Sequence, residues 1–211
     1  MSENPAIRRV AVVLFDGFTV LDAYGPIQAF AACRRNNTDG TRLRFYDVFT
    51  LGMRSGPARS SEGPATEVSH TLTDAPPWDV LLVPGGWGTR KLVDDDAFVA
   101  WLRQASERSP ITATVCTGAA LLARTGLLDE RKATSNKIAW DWVVGQGPRV
   151  HWQRRARWVD DGDIVSSSGV SAGTDMALAL VARLNGREMA SAAARNMEYV
   201  WNQDATNDPF V

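Results

Sequence analysis

The chain has 211 residues, 45% of them hydrophobic, and a formal net charge of -1. That length suits one domain spanning 1–211, since single cores stop growing at roughly 250–300 residues. A near-neutral balance gives no electrostatic reason to seek nucleic acid or an anionic membrane, so a small molecule is the expected partner.

The opening stretch, Met1–Phe15, lacks a long apolar run behind a basic end and does not read as a leader. No stretch approaches the ~20 apolar residues of a membrane span, and a cytoplasmic chain is expected. Val10–Phe15 reads as a buried strand closed by the turn Asp16-Gly17. Leu21–Arg34 is helical in pattern, with Pro26 expected near its first turn, where proline is tolerated. Leu43–Leu51 alternates and is rich in aromatic and β-branched residues, which predicts a second strand. Gly52–Thr73, full of Gly, Ser, Pro and Thr, predicts short hairpins and loops.

Val80–Val83 is the next buried strand and ends at Pro84-Gly85-Gly86. Asp94–Arg108 has the period of an amphipathic helix, with Asp94–Asp96 at its positive end. Ile111–Val115 is a strand that breaks at Cys116 into a helical Thr117–Thr125. Arg149–Ser167 predicts an antiparallel hairpin about Asp161-Gly162, and Ser171–Leu184 and Arg187–Trp201 close the chain as helices. Continuous apolar strands alternating with helices indicate a mostly parallel sheet covered on both faces.

Two cysteines are present, too few for a disulfide framework. His70 and His151 stand alone without a ligand-spaced partner, so neither a metal nor a cofactor is expected. Cys33 lies in an Ala-rich helical stretch and reads as core. Cys116 sits at the carboxyl end of a strand, where open α/β sheets bind ligands, and at a helix start, which favours a thiolate. It is either an activated thiol or a small buried hydrophobe.

Gly85 and Gly86, followed by Trp87, end a neighbouring strand. Their N–H groups either approach a ligand closely or simply make a tight turn. Asp22 follows the first strand and either caps the first helix or serves the thiol. Asp175 and Glu198 are solvated or paired. The eight tryptophans read mostly as core or interface, Trp87 excepted, since its loop faces the proposed site. Ser166-Ser167-Ser168 either lines a pocket or ends a strand.

The order Asp22, Pro84-Gly85-Gly86, Cys116-Thr117-Gly118 resembles the DJ-1/PfpI superfamily (ThiJ/PfpI, class I glutamine amidotransferase-like), and within it the isocyanide hydratase (isonitrile hydratase) branch. Further pieces carry the likeness: Val12–Phe15, Leu21–Pro26, Asp79–Val83, Ala133–Asn136 and Gly169–Asp175. The resemblance implies a flavodoxin-like three-layer sandwich, a homodimer, and Cys116 as a nucleophile on a strained elbow beside an acidic partner, Asp22. Superfamily peptidases and many glyoxalase-type members carry histidine after the cysteine; here Thr117 takes that place and removes the base thiol proteolysis would use. Asn136 departs from a hydratase pattern that has histidine at or near this position, and Ser135-Asn136-Lys137 looks more like a sister subgroup.

The activity so implied is hydration of an isocyanide to an N-substituted formamide through a thioimidate on Cys116. Asp22 would relay a proton, and the N–H groups of Gly86, Trp87 and Thr117 would hold reacting atoms. The Thr117 hydroxyl would help order water. Two alternatives stand beside it: glyoxalase-like hydration of reactive dicarbonyls, and a ligand- or redox-sensing module. Such domains occur fused to DNA-binding segments in AraC-type regulators, whereas here Asp208–Val211 is expected to leave no room for one.

Overall fold

The computed structural model describes residues 6–36 and 42–211; Met1–Pro5 of the stretch read for a leader lie outside them. Among the described residues the strands are β1 (Arg8–Val13), β2 (Arg34–Asn36), β3 (Arg42–Arg44), β4 (Tyr46–Leu51), β5 (Gly56–Arg59), β6 (Ala65–Val68), β7 (Val80–Val83), β8 (Ile111–Val115), β9 (Lys132–Ala133), β10 (His151–Trp152), β11 (Trp158–Asp160) and β12 (Ile164–Ser167). The helices are α1 (Val20–Ala31), α2 (Thr89–Leu92), α3 (Asp96–Glu107), α4 (Gly118–Arg124), α5 (Trp140–Gln146), α6 (Ala172–Asn185) and α7 (Arg187–Asn196).

The uninterrupted apolar runs behave as fully buried strands should. β1, β7 and β8 lie in the middle of a six-stranded sheet of order β11-β12-β8-β7-β1-β4. Val10 faces Val80 on one side and Val48 on the other, and Val83 faces Thr114. Every neighbouring pair is parallel except β11 with β12. Helices α1, α6 and α7 pack together, as do α2 to α5, in a flavodoxin-like three-layer arrangement. All the site's loops therefore leave the sheet at the carboxyl ends of parallel strands.

Several boundaries differ from the sequence reading, each for a local reason. The first helix ends at Ala31, because Arg34–Asn36 leaves it to pair antiparallel with β3. Pro26 sits in the helix interior rather than its first turn, so no N–H from it reaches the carbonyl of Asp22 four residues earlier. The expected strand Leu43–Leu51 is split at Phe45, whose ring turns into the core while its N–H bonds the Cys33 carbonyl at 3.2 Å.

The hairpin expected over Arg149–Ser167 is confined to β11 and β12 about Asp161-Gly162, while β10 pairs parallel with β9. The last helix stops at Asn196, just before Glu198 takes a left-handed φ of 51°. The short helices α2 and α5 lack enough turns to show a period. The hairpin β5–β6 was expected within Gly52–Thr73, and it folds over the end of β1: Ser61 N–H donates to the Phe18 carbonyl at 2.8 Å. No helix among the described residues is long and apolar enough to cross a membrane.

Candidate active site

Cys116 occupies the single residue between β8 and the turn into α4, with φ at 57°. A side-chain-bearing residue there costs roughly 1–2 kcal/mol, and neighbours on both sides hold it in place. Its N–H is shared between the carbonyls of Ser167 (3.3 Å) and Ser168 (3.2 Å), and its carbonyl accepts the Ser135 hydroxyl at 2.6 Å. Gly118 allows the tight turn, since a Cβ there would meet the Pro84 carbonyl oxygen at 2.9 Å. The N–H groups of Thr117 and Val170 favour the charged form of the Cys116 thiol. Val170 does so with φ at 42°, an outlier for a β-branched residue.

Asp22 stands in the first turn of α1 with no solvent exposure. Its Oδ2 accepts the Gly85 N–H at 2.9 Å, while Oδ1 has no protein hydrogen-bond partner among the described residues. The carboxyl lies close enough to the Cys116 thiol for each to perturb the other. Burial pushes Asp22 up to about 7, opposed by the Gly85 N–H and by Cys116 and reinforced by the charge of Glu62. Burial also pushes the Cys116 thiol up, and the Asp22 charge adds to it, against the Thr117 and Val170 N–H groups. Two coupled acids so close give up protons as a pair, and above about pH 7 they hold one proton and one negative charge between them.

The glycine loop serves mainly to bring backbone together. A Cβ on Gly85 would lie 2.5 Å from Thr117 N and 2.6 Å from its Oγ1. Of the N–H groups expected to hold reacting atoms, that of Thr117 favours a charged Cys116 sulfur. Those of Gly86 and Trp87 instead donate to Thr117 Oγ1 (3.0 Å) and Ser61 Oγ (3.3 Å). The Thr117 hydroxyl also takes a bond from Thr89 Oγ1 at 3.2 Å, so it ties the loop to α2. The Trp87 ring is 75% exposed, unlike buried Trp78, Trp140 and Trp158.

Residues beyond the sequence reading complete the site: Val170 at the sulfur, Ser135 on the Cys116 carbonyl, Glu62 and Arg90. Glu62, at the tip of the β5–β6 hairpin, accepts the Val20 N–H at 2.9 Å and so caps the helix that carries Asp22. Arg90 follows the glycine loop in Gly88-Thr89-Arg90, a cation next to a candidate anion site, and that was its legible signal. Asn136 caps the turn before α5, accepting Ala139 N–H at 2.8 Å, with its amide against Gly169. The serines are packed rather than pocket-lining: Ser166 Oγ accepts Thr134 N–H at 2.9 Å and Ser167 Oγ donates to the Thr114 carbonyl at 3.3 Å.

Cys33 lies in the core with its S–H on the Ala29 carbonyl at 3.3 Å, and burial pushes it up to about 12. Asp175 is buried and paired with Arg157, whereas Glu198 is exposed. Among the described residues no three His, Cys, Asp or Glu side chains converge as metal ligands would.

The strained thiol, the buried carboxyl and the glycine loop occur in a recognised arrangement. A family model, DJ-1/PfpI family, matches residues 8–183. The chain belongs to the DJ-1/PfpI family. It is 28% identical over 191 residues to the isonitrile hydratase of Pseudomonas putida, covering 90% of this chain and 78% of that one. It is 27% identical to the HTH-type transcriptional regulator GbdR of Pseudomonas aeruginosa over 94% of this chain, but spans about half (52%) of that protein. Among solved structures, a ThiJ/PfpI family protein from Pseudomonas syringae superposes with a TM-score of 0.80 at 28% identity, over 93% of this chain and 76% of the other.

Proposed function

We propose that this DJ-1/PfpI member hydrates isocyanides to N-substituted formamides, with Cys116 as nucleophile and Asp22 as its proton partner. The observation that carries this reading is the fully buried Asp22 carboxyl beside the buried Cys116 thiol, close enough that each perturbs the other. When the negative charge resides on sulfur, the Asp22 carboxyl is the acid that holds the proton.

The thiolate adds to the terminal isocyanide carbon, and the Asp22 proton goes to that same carbon, giving a thioimidate. Water then adds to the carbon, one of its protons passing to Asp22 and the nitrogen gaining the other. Collapse of the adduct breaks the C–S bond, releases the formamide and returns the thiolate. No redox partner enters, and the net change is one water added. An Asp22 value near 7 suits both directions of proton transfer. The similarity to an isonitrile hydratase supports the choice of substrate.

An aryl isocyanide incubated with the purified chain should yield formamide by absorbance or mass, and Cys116→Ala should lower the rate at least about a thousandfold. Absent turnover in the wild type, or equal turnover in the variant, overturns the proposal. Ligand sensing without turnover is the second reading, favoured by the likeness to a transcriptional regulator along 94% of this chain. Saturable isocyanide binding with no formamide formed would select it.

A homodimer belongs to the same proposal. Leu21 and Tyr24, on one face of α1, are 46% and 42% exposed and offer an apolar surface for a second copy. Light scattering should return twice the chain mass, and a monomer at micromolar concentration overturns that part.

A further inference from the structure

Arg90 is not used by the chemistry above, yet it feels the charge of Cys116. Its carbon lies 3.4 Å from the centroid of the Trp142 ring and 5.7 Å from that of Trp87. Stacking on indole fixes the plane of the guanidinium and the direction of its N–H fork. Among the described residues no carboxylate pairs with it, and its hydrogen bond to Thr89 Oγ1 is a long 3.4 Å. Thr89 in turn bonds Gly86 O (2.7 Å) and Thr117 Oγ1 (3.2 Å), which places Arg90 against the backbone that surrounds the thiol.

The Cys116 charge acts on Arg90, while burial holds the guanidinium below its ordinary value. A partly buried guanidinium stacked on indole, with no carboxylate partner among the described residues, keeps N–H donors available for a ligand anion. The exposed Trp87 indole beside it suits a flat, apolar body. We propose that Arg90 binds an anionic group, a carboxylate in the first instance, on the molecule that Cys116 attacks. Combined with the isocyanide reading, on which only this last step rests, the substrate class is a carboxylate-bearing isocyanide.

A rival role for Arg90 is to stabilise the thiolate itself, and alkylation kinetics separate the two without any need for turnover. Labelling at Cys116 by iodoacetate and by neutral iodoacetamide is followed by peptide mass in the wild type, Arg90→Gln and Arg90→Lys. If Arg90 binds the ligand's anion, the iodoacetate-to-iodoacetamide rate ratio falls about tenfold in Arg90→Gln and is partly kept in Arg90→Lys. An equal slowing by both reagents, leaving the ratio unchanged, overturns the proposal.

Should Arg90→Gln fail to fold, the wild type gives the answer alone. Benzoate should protect Cys116 from iodoacetamide and benzamide should not; equal protection by both, or by neither, overturns the inference. With 4-isocyanobenzoate and its methyl ester as substrates, the acid should have the lower KM, and Arg90→Gln should erase that difference. If neither isocyanide turns over while the labelling preference persists, the isocyanide reading falls and the anion site stands.

Discussion

Replacing Asp22 with asparagine is expected to abolish isocyanide turnover and, at pH 8, to raise the melting temperature. The first effect follows from removing the acid that supplies the proton to carbon, and about a hundredfold or more should be lost. The second follows from burial. Asp22 titrates near 3.8 in the unfolded chain and near 7 in the folded one. Between those values the unfolded state has released the proton and the folded state has kept it, so stability falls as pH rises through that window.

Above about 7 the wild type carries the full cost of a buried charge, on the order of 2–4 kcal/mol. Asparagine keeps an oxygen for the Gly85 N–H and carries no charge. Its advantage should be largest at pH 8 and shrink toward zero by about pH 4, where both side chains are neutral. Melting curves across that range check it, and a difference that does not change with pH would refute the titration assignment. Wild-type activity should rise with pH through about 7 and then level, as the pair acquires its negative charge.

Arg157 and Asp175 carry the second large expectation. Both are almost fully buried, with Arg157 Nε and Nη2 donating to Asp175 Oδ2 at 2.8 and 2.6 Å. The other carboxylate oxygen takes the Tyr199 hydroxyl and the Asn202 N–H, each at 3.0 Å. This one carboxylate thus ties the carboxyl-terminal segment to β11, and burial holds it above its ordinary range even so paired.

Arg157→Met should cost about 3–5 kcal/mol, because it leaves an uncompensated charge in the interior. For a chain of this size that is a fall of roughly 10 °C or more in Tm. The double variant Arg157→Met/Asp175→Leu should be more stable than Arg157→Met alone, since it removes the nearer of the two buried carboxylates that Arg157 faces, Asp208 Oδ2 at 3.8 Å being the other. Additive losses would show that the pair is not energetically coupled. The Gly169–Ser171 loop packs here, with Ser171 Oγ within 3.5 Å of Arg157 Nη2, so the single variant should also loosen the loop that carries Val170.

The parts of this structure legible in the sequence were those written in local patterns. Val80–Val83 and Ile111–Val115 are uninterrupted apolar runs, and buried parallel strands leave no other pattern. Cys116 was legible because an apolar run stops at it and a helix starts beyond it. Val170 was not, because its contribution is an N–H group and a left-handed φ, neither of which its side chain announces. Glu62 was hidden by distance: it reaches the Asp22 helix from a hairpin tip, a contact between segments that no period links. Pro26 falls in the second turn whether the helix starts at Leu21 or, as it does, at Val20, where Glu62 supports it instead of a cap of its own.

The sheet order has a consequence for the chain while it is being made. Asp22 follows β1, Gly85 follows β7, Cys116 follows β8 and Val170 follows β12, so four parallel strands each deliver one part. Parallel pairings of this kind close long loops and form slowly. Until the last strand docks, Cys116 lacks the carbonyls of Ser167 and Ser168 that hold its backbone N–H. A nascent or partly folded chain therefore carries a cysteine without its buried acid partner, and the Asp22–Cys116 pair exists only once the fold is complete.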